Sequence, residues 1–449
     1  MKDSFMNGLL TVAGKMQSNP VLSAIKDGFI DIMPVTIMGS FCTLFQFVVS
    51  ATKANGYDIS LANVPGLGWL ANLNPVWSTA NYGCMNFMAV MVVFMVALHF
   101  AENIGRPGDK TAAAVALASF ITLVTTSVTG KSASGEEVTI SGAVASTYTN
   151  SNGLFVAIIV GIVVTWLYVK LISSGKLTIK LPDSVPPNVS QSFAVLFPTV
   201  ITIFIVALVN WIMSAFLHLD FFSLINRIMA PIQAIMTGLP GYLVVVFLMM
   251  LLWWFGIHGP NVMSAVTTPF MTAAWTNNEA IYKATGSVAI GTVGPAGEKY
   301  QIINTVFGAG YFSHTGSGIT GGLIIAVMLF SKREDYRAIC KLAIPCGIFN
   351  INEPIIFGIP MVMNPLLGIP FFLAPVVSVV FGYLITKIGF APMFVINVPW
   401  TTPCGIFGFL ASGGRLMGAI SQLLAFATSI LVYMPFVLAS NAQQEEAAA

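Results

Sequence analysis

The stretch FNINEPIIFGIPMVMNP, residues 349–365, decides how the chain around it folds. It places one carboxylate, Glu353, between two asparagines (Asn350 and Asn352) and a proline, with apolar residues on both sides. Its three prolines and Gly358 exclude one long regular helix. Because a charge in apolar surroundings is costly to bury, we expect Glu353 to serve a function. A broken helix with free backbone groups and a lone acid is typical of a polar-substrate site inside a membrane.

The composition indicates a polytopic membrane protein. Of the 449 residues, 56% are hydrophobic and only 8% are charged, whereas a soluble domain carries about 25% charged residues. The net charge of +2 gives no indication of nucleic-acid binding. Cysteines occur without CxxC or metal-ligand spacing, so we expect packed side chains and no metal site at Cys42, Cys84, Cys340, Cys346 and Cys404.

Hydropathy and charge predict about ten transmembrane helices with a cytoplasmic N-terminus. The first five spans are expected at about residues 28–50, 82–101, 112–128, 154–172 and 193–216. This orientation places the basic residues at 106, 110, 170, 176 and 180 inside, in agreement with the positive-inside rule. The Ser/Thr/Gly-rich stretch 130–153 is then an outer loop, which we expect to fold little on its own.

The distribution of Gly, Pro and polar residues along the apolar runs divides the chain into two halves. Residues 1–217 carry uniform apolar runs and are interpreted as a scaffold and dimerisation domain. Residues 218–240 alternate apolar and polar positions and predict an interfacial amphipathic linker. From 241 to 440, Gly, Pro, Ser/Thr and Asn interrupt the apolar runs, which predicts a transport domain with two re-entrant hairpins. A polar tail, 441–449, follows.

Six residues in the second half have the chemistry of a sugar site. Such sites stack aromatic faces on the sugar ring and bind its hydroxyls with carboxylate, amide and imidazole groups. These groups are supplied by Trp254, His258, Asn350, Asn352, Glu353 and Trp400. His314 and Thr315, in the glycine-rich SHTGSG stretch, lie at a predicted hairpin tip and are further candidates for substrate binding. For His314, ligand contact and gate packing are equally open interpretations.

The sequence gives fewer indications of catalysis or of energy coupling than of sugar binding. Glu353 and His258 could form an acid–base pair, but the chain has no nucleophile motif, no HExxH and no GxxxxGK[ST] loop, so it is not expected to hydrolyse ATP. No cofactor is predicted. An ion-coupled secondary transporter, in which Glu353 and His258 relay protons, fits the residues nearly as well as other kinds of sugar transporter.

Four motifs in order resemble the lactose/cellobiose/chitobiose family of phosphotransferase-system (PTS) sugar permeases, the IIC component. They are KLPDSVPPNVSQSF (180–193), FGIHGP (255–260), NINEPIIFGIPMVMNP (350–365) and NVPWTTPCG (397–405). The resemblance covers about residues 20–440. It implies an all-α homodimer in the bacterial inner membrane, whose N-terminal half dimerises and whose C-terminal half carries the sugar in an elevator movement.

The resemblance also implies roles and partners. It places the family's site histidine at His258 and its glutamate at Glu353, close to the 6-hydroxyl of a β-linked disaccharide of the cellobiose, diacetylchitobiose or lactose type. A separate IIB protein, supplied by IIA, HPr and phosphoenolpyruvate, would deliver the phosphoryl group from a phosphocysteine. None of the five cysteines is expected in a soluble domain of that kind. The tip departs from the family's Gly/Ser-rich pattern at His314 and Thr315.

Overall fold

The computed structural model describes residues 14–15, 18–52, 60–131, 136–179, 182, 185–218, 220–359, 361 and 364–448. Helices dominate the described part. In the first half they are α1 Pro20–Val48, α2 Asn74–Met85, α3 Met88–Asn103, α4 Lys110–Thr122, α5 Ser146–Thr149, α6 Leu154–Ser173, α7 Pro187–Ala194 and α8 Leu196–Leu217. In the second half they are α9 Phe221–Thr237, α10 Leu239–Trp254, α11 Gly259–Thr285, α12 Thr305–Phe307, α13 Thr320–Phe330, α14 Glu334–Ile348, α15 Glu353–Gly358, α16 Pro365–Lys387, α17 Ile406–Ala411 and α18 Leu416–Ala448.

The residues form two compact units. The smaller unit contains residues 16–36 and 82–233, and the larger unit contains residues 1–15, 37–81 and 234–449. The segment 37–81 therefore packs with the second half of the chain, which differs from the predicted boundary at residue 217. The roles of scaffold and transport domain remain predictions.

Glycines set the close helix packing of the smaller unit. A Cβ at Gly28 on α1 would lie 2.9 Å from the Val96 side chain of α3, and a Cβ at Gly161 on α6 would lie 3.2 Å from the same valine. Both helices therefore approach α3 closely, as small residues permit between membrane helices. Asp109 begins α4 as its N-cap by accepting from the Ala112 N–H, and Arg106 donates to the same carboxylate.

A two-stranded ribbon corrects the expectation for the loop 130–153. Strands β1 Ser127–Lys131 and β2 Glu137–Ser141 pair antiparallel, with Val128 opposite Ile140 and Thr129 opposite Thr139. The β-branched residues on both strands favour this pairing, so the prediction of little folded structure was wrong here. It is the one β-sheet in the described residues, and it qualifies the all-α prediction.

Seven described helices are long and apolar enough to cross a membrane, or eight if the bent pair α9 and α10 counts as one span. A protein with several membrane spans is thus confirmed, whereas the predicted total of about ten is not. The amphipathic stretch after residue 217 does form a helix, α9, followed by a break at Gly238. Its interfacial position stays a prediction.

The breaks predicted in the second half are present in the larger unit. Helix α14 ends at Ile348, the short helix α15 covers Glu353–Gly358, and α16 begins at Pro365. Between α12 and α13 the chain passes through a π-helical turn, Gly308–Phe312, and a tight tip. The turn is held in the core, because the Tyr311 ring stacks on Phe394 with centroids 5.1 Å apart.

Candidate functional site

Asn350 joins three separate stretches of the larger unit. Its backbone is left-handed, with φ of +65°, and its side chain is buried. Oδ1 accepts from the Thr315 N–H at 2.6 Å, while Nδ2 donates to the carbonyls of Trp400 and Thr402. Since both amide hydrogens are used by backbone carbonyls, Asn350 holds the hairpin tip against the 400–402 segment.

Asn352 makes the second connection to the tip. Its Nδ2 donates to the Ser317 carbonyl at 2.7 Å, and the side chain is buried. Gly316, with φ of +93°, lies so close that a Cβ there would be 2.5 Å from the Asn352 Cβ. The glycine is therefore required both by its backbone conformation and by the space available. Together, Asn350 and Asn352 hold both sides of the tip.

The two other tip residues face the protein interior. The His314 ring is 1% exposed, packs edge-on against Phe426, and its nitrogens make no hydrogen bond with a described residue. Thr315 has φ of +60°, an uncommon conformation for a β-branched residue, and its hydroxyl is likewise buried without a partner. Of the two interpretations left open for this tip, the geometry favours packing for His314.

Glu353 lies in the first turn of α15 and is exposed. The expectation that its charge is buried was wrong, because the backbone break turns this residue outward. Its carboxylate makes no hydrogen bond or ion pair with a described residue, and it acts electrostatically on the His258 ring. Its position leaves both oxygens free to accept from a ligand.

His258 begins helix α11 at the predicted break. Its Nδ1 accepts from the Asn261 N–H at 3.2 Å as the N-cap, and its ring lies 4.5 Å from that of Trp253. With Nδ1 as acceptor, the neutral ring carries its proton on Nε2, which can then donate to a ligand. A Cβ at Gly259 would overlap the Met249 carbonyl, so this glycine permits the close approach of α10 to the start of α11.

The two tryptophans predicted to stack on the sugar ring differ in exposure and in hydrogen bonding. The Trp254 ring is half-buried and donates through Nε1 to the Asn364 carbonyl at 3.2 Å. Trp400 is 54% exposed, and only its backbone is held, by Asn350. Trp400 thus has the free aromatic face that stacking on a sugar ring requires.

A cavity of about 250 Å³ lies beside the tip and is lined mostly by apolar side chains, including Ile324, Ile348, Leu423 and Phe426, together with Thr315. Its lining contains no charged residue, so the cavity is poorly suited to several hydroxyl groups. Glu353 and His258, the candidate groups for binding hydroxyls, do not belong to its lining. No group of His, Cys, Asp and Glu among the described residues could hold a metal ion.

The buried acid of the larger unit is Glu279, which the sequence interpretation missed. It is 3% exposed, and its carboxylate accepts from Thr43 at 2.7 Å and from Ser40 at 3.1 Å. Asn81 donates to the Thr43 hydroxyl and accepts from Lys283. The helical Glu-to-Lys spacing of four residues at 279 and 283 was the available signal.

Comparison with known proteins gives concordant results. A family model described as "Phosphotransferase system, EIIC" matches residues 26–375. The lichenan permease IIC component of Bacillus subtilis is 33% identical over 433 residues, covering 95% of this chain and 91% of the relative. The PTS system cellobiose-specific EIIC component of Geobacillus stearothermophilus is 34% identical over 436 residues, with coverage of 95% and 91%.

A solved structure is similar along nearly the whole chain. It is the crystal structure of the transporter ChbC, the IIC component from the N,N'-diacetylchitobiose-specific phosphotransferase system. The TM-score is 0.85 at 30% sequence identity, and the match covers 97% of this chain and 96% of the other.

Proposed function

Since this chain belongs to the phosphotransferase system EIIC family, we propose that it is the permease for a β-linked disaccharide of the cellobiose or diacetylchitobiose type. It is a multi-pass protein of the bacterial membrane. Relatives named for lichenan, cellobiose and diacetylchitobiose support this class of sugar, and all three names denote β-linked saccharides.

The observation that carries the proposal is the exposed carboxylate of Glu353, next to Asn352 that holds the tip, together with the half-buried His258 ring on which its charge acts. A sugar hydroxyl both donates and accepts, so it is matched by a carboxylate that only accepts and an imidazole Nε2–H that donates. Trp400 offers an exposed ring for stacking on the sugar face. Asn350 and Asn352 contribute by holding the tip and the Trp400 backbone in place.

We propose the remaining steps on the basis of the family resemblance. The sugar binds from outside, the C-terminal half, residues 241–440, moves as an elevator within a homodimer, and the 6-hydroxyl is presented to a separate phosphorylated IIB protein that IIA and HPr recharge. The N-terminus lies in the cytoplasm. Glu353 further acts as general base on that hydroxyl. If phospho-IIB phosphorylated the sugar on Glu353→Gln at the wild-type rate, with sugar at saturating concentration for both proteins, this base role would be excluded.

The experiment is binding of a panel of β- and α-linked disaccharides to the purified protein. We expect one β-linked disaccharide to bind and its α-linked isomer to bind at least about tenfold more weakly, the effect of about one hydrogen bond. Equal binding of both isomers, or of none, would contradict the proposed substrate class.

Uptake into cells distinguishes the proton-coupled alternative, which the buried carboxylate Glu279 keeps as a second candidate because it is a group that could take up a proton. A phosphotransferase permease accumulates sugar phosphate only while phosphoenolpyruvate and IIB are present, and an uncoupler leaves this unchanged. A proton-coupled transporter shows the opposite dependence.

A further inference from the structure

Gln422 is a buried amide near the start of the long helix α18, and three backbone groups of the larger unit depend on it. Its Oε1 accepts from the N–H groups of Gly405 and Gly408, both at 2.8 Å, and its Nε2 donates to the Gly310 carbonyl at 3.2 Å. The side chain is fully buried. No motif in the sequence singled it out.

The Gly310 carbonyl lies within the π-helical turn, Gly308–Phe312, and the regular continuation of that turn does not supply its backbone partner. In that turn the Ser313 N–H donates five residues back, to the Gly308 carbonyl. The same spacing would pair Thr315 with Gly310, but the Thr315 N–H donates to Asn350 instead. Asn350 therefore pairs with the Thr315 N–H, and Gln422 pairs with the Gly310 carbonyl. An unpaired backbone group in a membrane interior would be costly.

The same two amides also hold the 400–408 segment. Asn350 donates to the carbonyls of Trp400 and Thr402, at the start of the segment. At its end, Gly405 occupies the N-cap of α17 and has no side chain to cap the helix. Gln422 accepts from the N–H groups there and so caps the helix from α18.

Close helix contact brings Gln422 to this position. A Cβ at Gly408 on α17 would overlap the Gly418 carbonyl of α18, and a Cβ at Gly418 would overlap that of Gly408. Gln422 lies one turn beyond Gly418, so its side chain reaches the beginning of α17. The contact is possible only because both residues lack side chains.

We propose that Gln422 is a positioning residue for the sugar site: with Asn350 it forms a two-amide clamp between the hairpin, 308–315, and the 400–408 segment. The clamp fixes the tip relative to Trp400, and the inference rests on the proposed function only for its effect on sugar binding. The clamp itself can be tested without sugar, because Cys404 lies next to Gly405 and is half-buried.

The first readout is maleimide labelling of Cys404 in a background where the other four cysteines are replaced. Gln422→Leu removes all three hydrogen bonds, so we expect Cys404 to react about tenfold faster or more, the effect of losing about 1.4 kcal/mol from a local structure. The matched control is Ser440→Ala, on the same helix, since Ser440 is also buried but donates only to Val437 within α18. Labelling at the wild-type rate in Gln422→Leu would overturn the clamp, whatever sugar does.

The second readout is the affinity for the disaccharide found in the panel. We expect Gln422→Leu to bind it about tenfold more weakly, while Ser440→Ala binds as wild type. Faster Cys404 labelling with unchanged affinity would overturn the positioning role and leave a purely structural amide. A wild type that binds no disaccharide would refute the proposed function, while the labelling result would still decide on the clamp.

Gln422→Glu gives a pH-dependent test that simple loss of packing would not reproduce. A protonated carboxyl has one donor and one acceptor and can replace the amide, but an ionised carboxylate cannot donate to the Gly310 carbonyl. Burial favours the neutral acid. Because maleimide reacts with the thiolate, each labelling rate is divided by that of wild type at the same pH. We expect this ratio and the affinity of Gln422→Glu to equal those of wild type at low pH and to approach those of Gln422→Leu as the pH rises. A ratio equal to that of Gln422→Leu at every pH would contradict the hydrogen-bonding role.

Discussion

Two carboxylates of the larger unit lie in opposite surroundings. Glu279 is enclosed, and both of its oxygens accept from hydroxyls, those of Thr43 and Ser40. Glu353 is exposed, makes no hydrogen bond or ion pair with a described residue, and interacts through its charge with His258. A carboxylate whose oxygens are already occupied stabilises the fold, whereas one with free oxygens beside a donor can bind a ligand. Of the two, the exposed acid is therefore the one whose oxygens are available to a ligand.

The backbone explains why the two acids differ. Glu279 sits within the continuous helix α11, Gly259–Thr285, so its side chain is directed into the helix packing. Glu353 begins a six-residue helix after a left-handed residue, Asn350, and the break turns it outward. The amide of Asn350 keeps that break in one conformation by bonding to the tip and to the 400–402 segment.

The largest expected effect is on stability, at Glu279. Glu279→Ala leaves Ser40 without its acceptor and removes the counter-charge of Lys283. The Thr43 hydroxyl keeps only the Gly39 carbonyl, at 3.4 Å, as acceptor. We therefore expect the free energy of unfolding in detergent to fall by about 3 kcal/mol. Sugar affinity of the folded fraction should not change. Glu279→Gln keeps an acceptor for one hydroxyl and should lose clearly less. An alanine variant as stable as wild type would show that the buried network contributes no net stability.

The next effect is on binding, at Glu353. Glu353→Gln should weaken disaccharide binding by about 1.5–3 kcal/mol, or about 10- to 150-fold, because a hydrogen bond to a charged acceptor is lost. Its unfolding free energy should stay within about 0.5 kcal/mol of wild type, as for other surface positions. Glu334→Gln is the matched control, since Glu334 is also exposed in the first turn of a helix. Equal losses in both variants would remove Glu353 from the site.

His258 is both the N-cap of α11 and a candidate donor to the sugar, and two substitutions separate these roles. His258→Ala removes the N-cap of α11 and should cost about 0.5–2 kcal/mol of stability, along with the Nε2 donor. His258→Asn keeps a good N-cap and loses only the ligand donor. Both should bind sugar about 2- to 13-fold more weakly, the effect of one neutral hydrogen bond, while thermal unfolding distinguishes them. If His258→Asn bound sugar normally, His258 would serve the fold alone.

The membrane class and the breaks in the second half could be predicted because they have local causes. Long apolar runs predict spans, and Pro354, Gly358 and Pro365 within twelve residues are incompatible with one long regular helix. The β-branched residues at 138–140 also indicate a strand in the β-ribbon. The Ser and Gly content of the same stretch instead led to the prediction of an unstructured loop. These features depend on residues that are close in sequence.

The site depends on pairings that have no local signature. Glu279 meets Ser40 across more than 200 residues of chain, and Gln422 meets Gly310 across more than 100. The residues near Glu353 in sequence do not show that the backbone break exposes it. They also do not show that the Asn350 amide donates both of its hydrogens to backbone carbonyls. The candidate residues could be listed from the sequence, whereas only the tertiary structure shows which of them are bonded to the backbone and which have exposed polar groups.

The smallest effect is expected at a third kind of carboxylate, one that is both exposed and paired. Asp335 accepts two hydrogen bonds from Arg333, and this pairing holds the pKa of Asp335 below its usual value. Such a pair stabilises the folded state above the unfolded-state pKa, and its contribution is lost as the pH falls through the lower folded-state pKa. Because solvent screens the pair, Asp335→Asn should change stability at neutral pH by less than about 1 kcal/mol and leave sugar affinity unchanged. If Asp335→Asn lost as much sugar affinity as Glu353→Gln, the loss would be a general effect of removing an exposed carboxylate. The free oxygens of Glu353 near His258 would then not explain sugar binding.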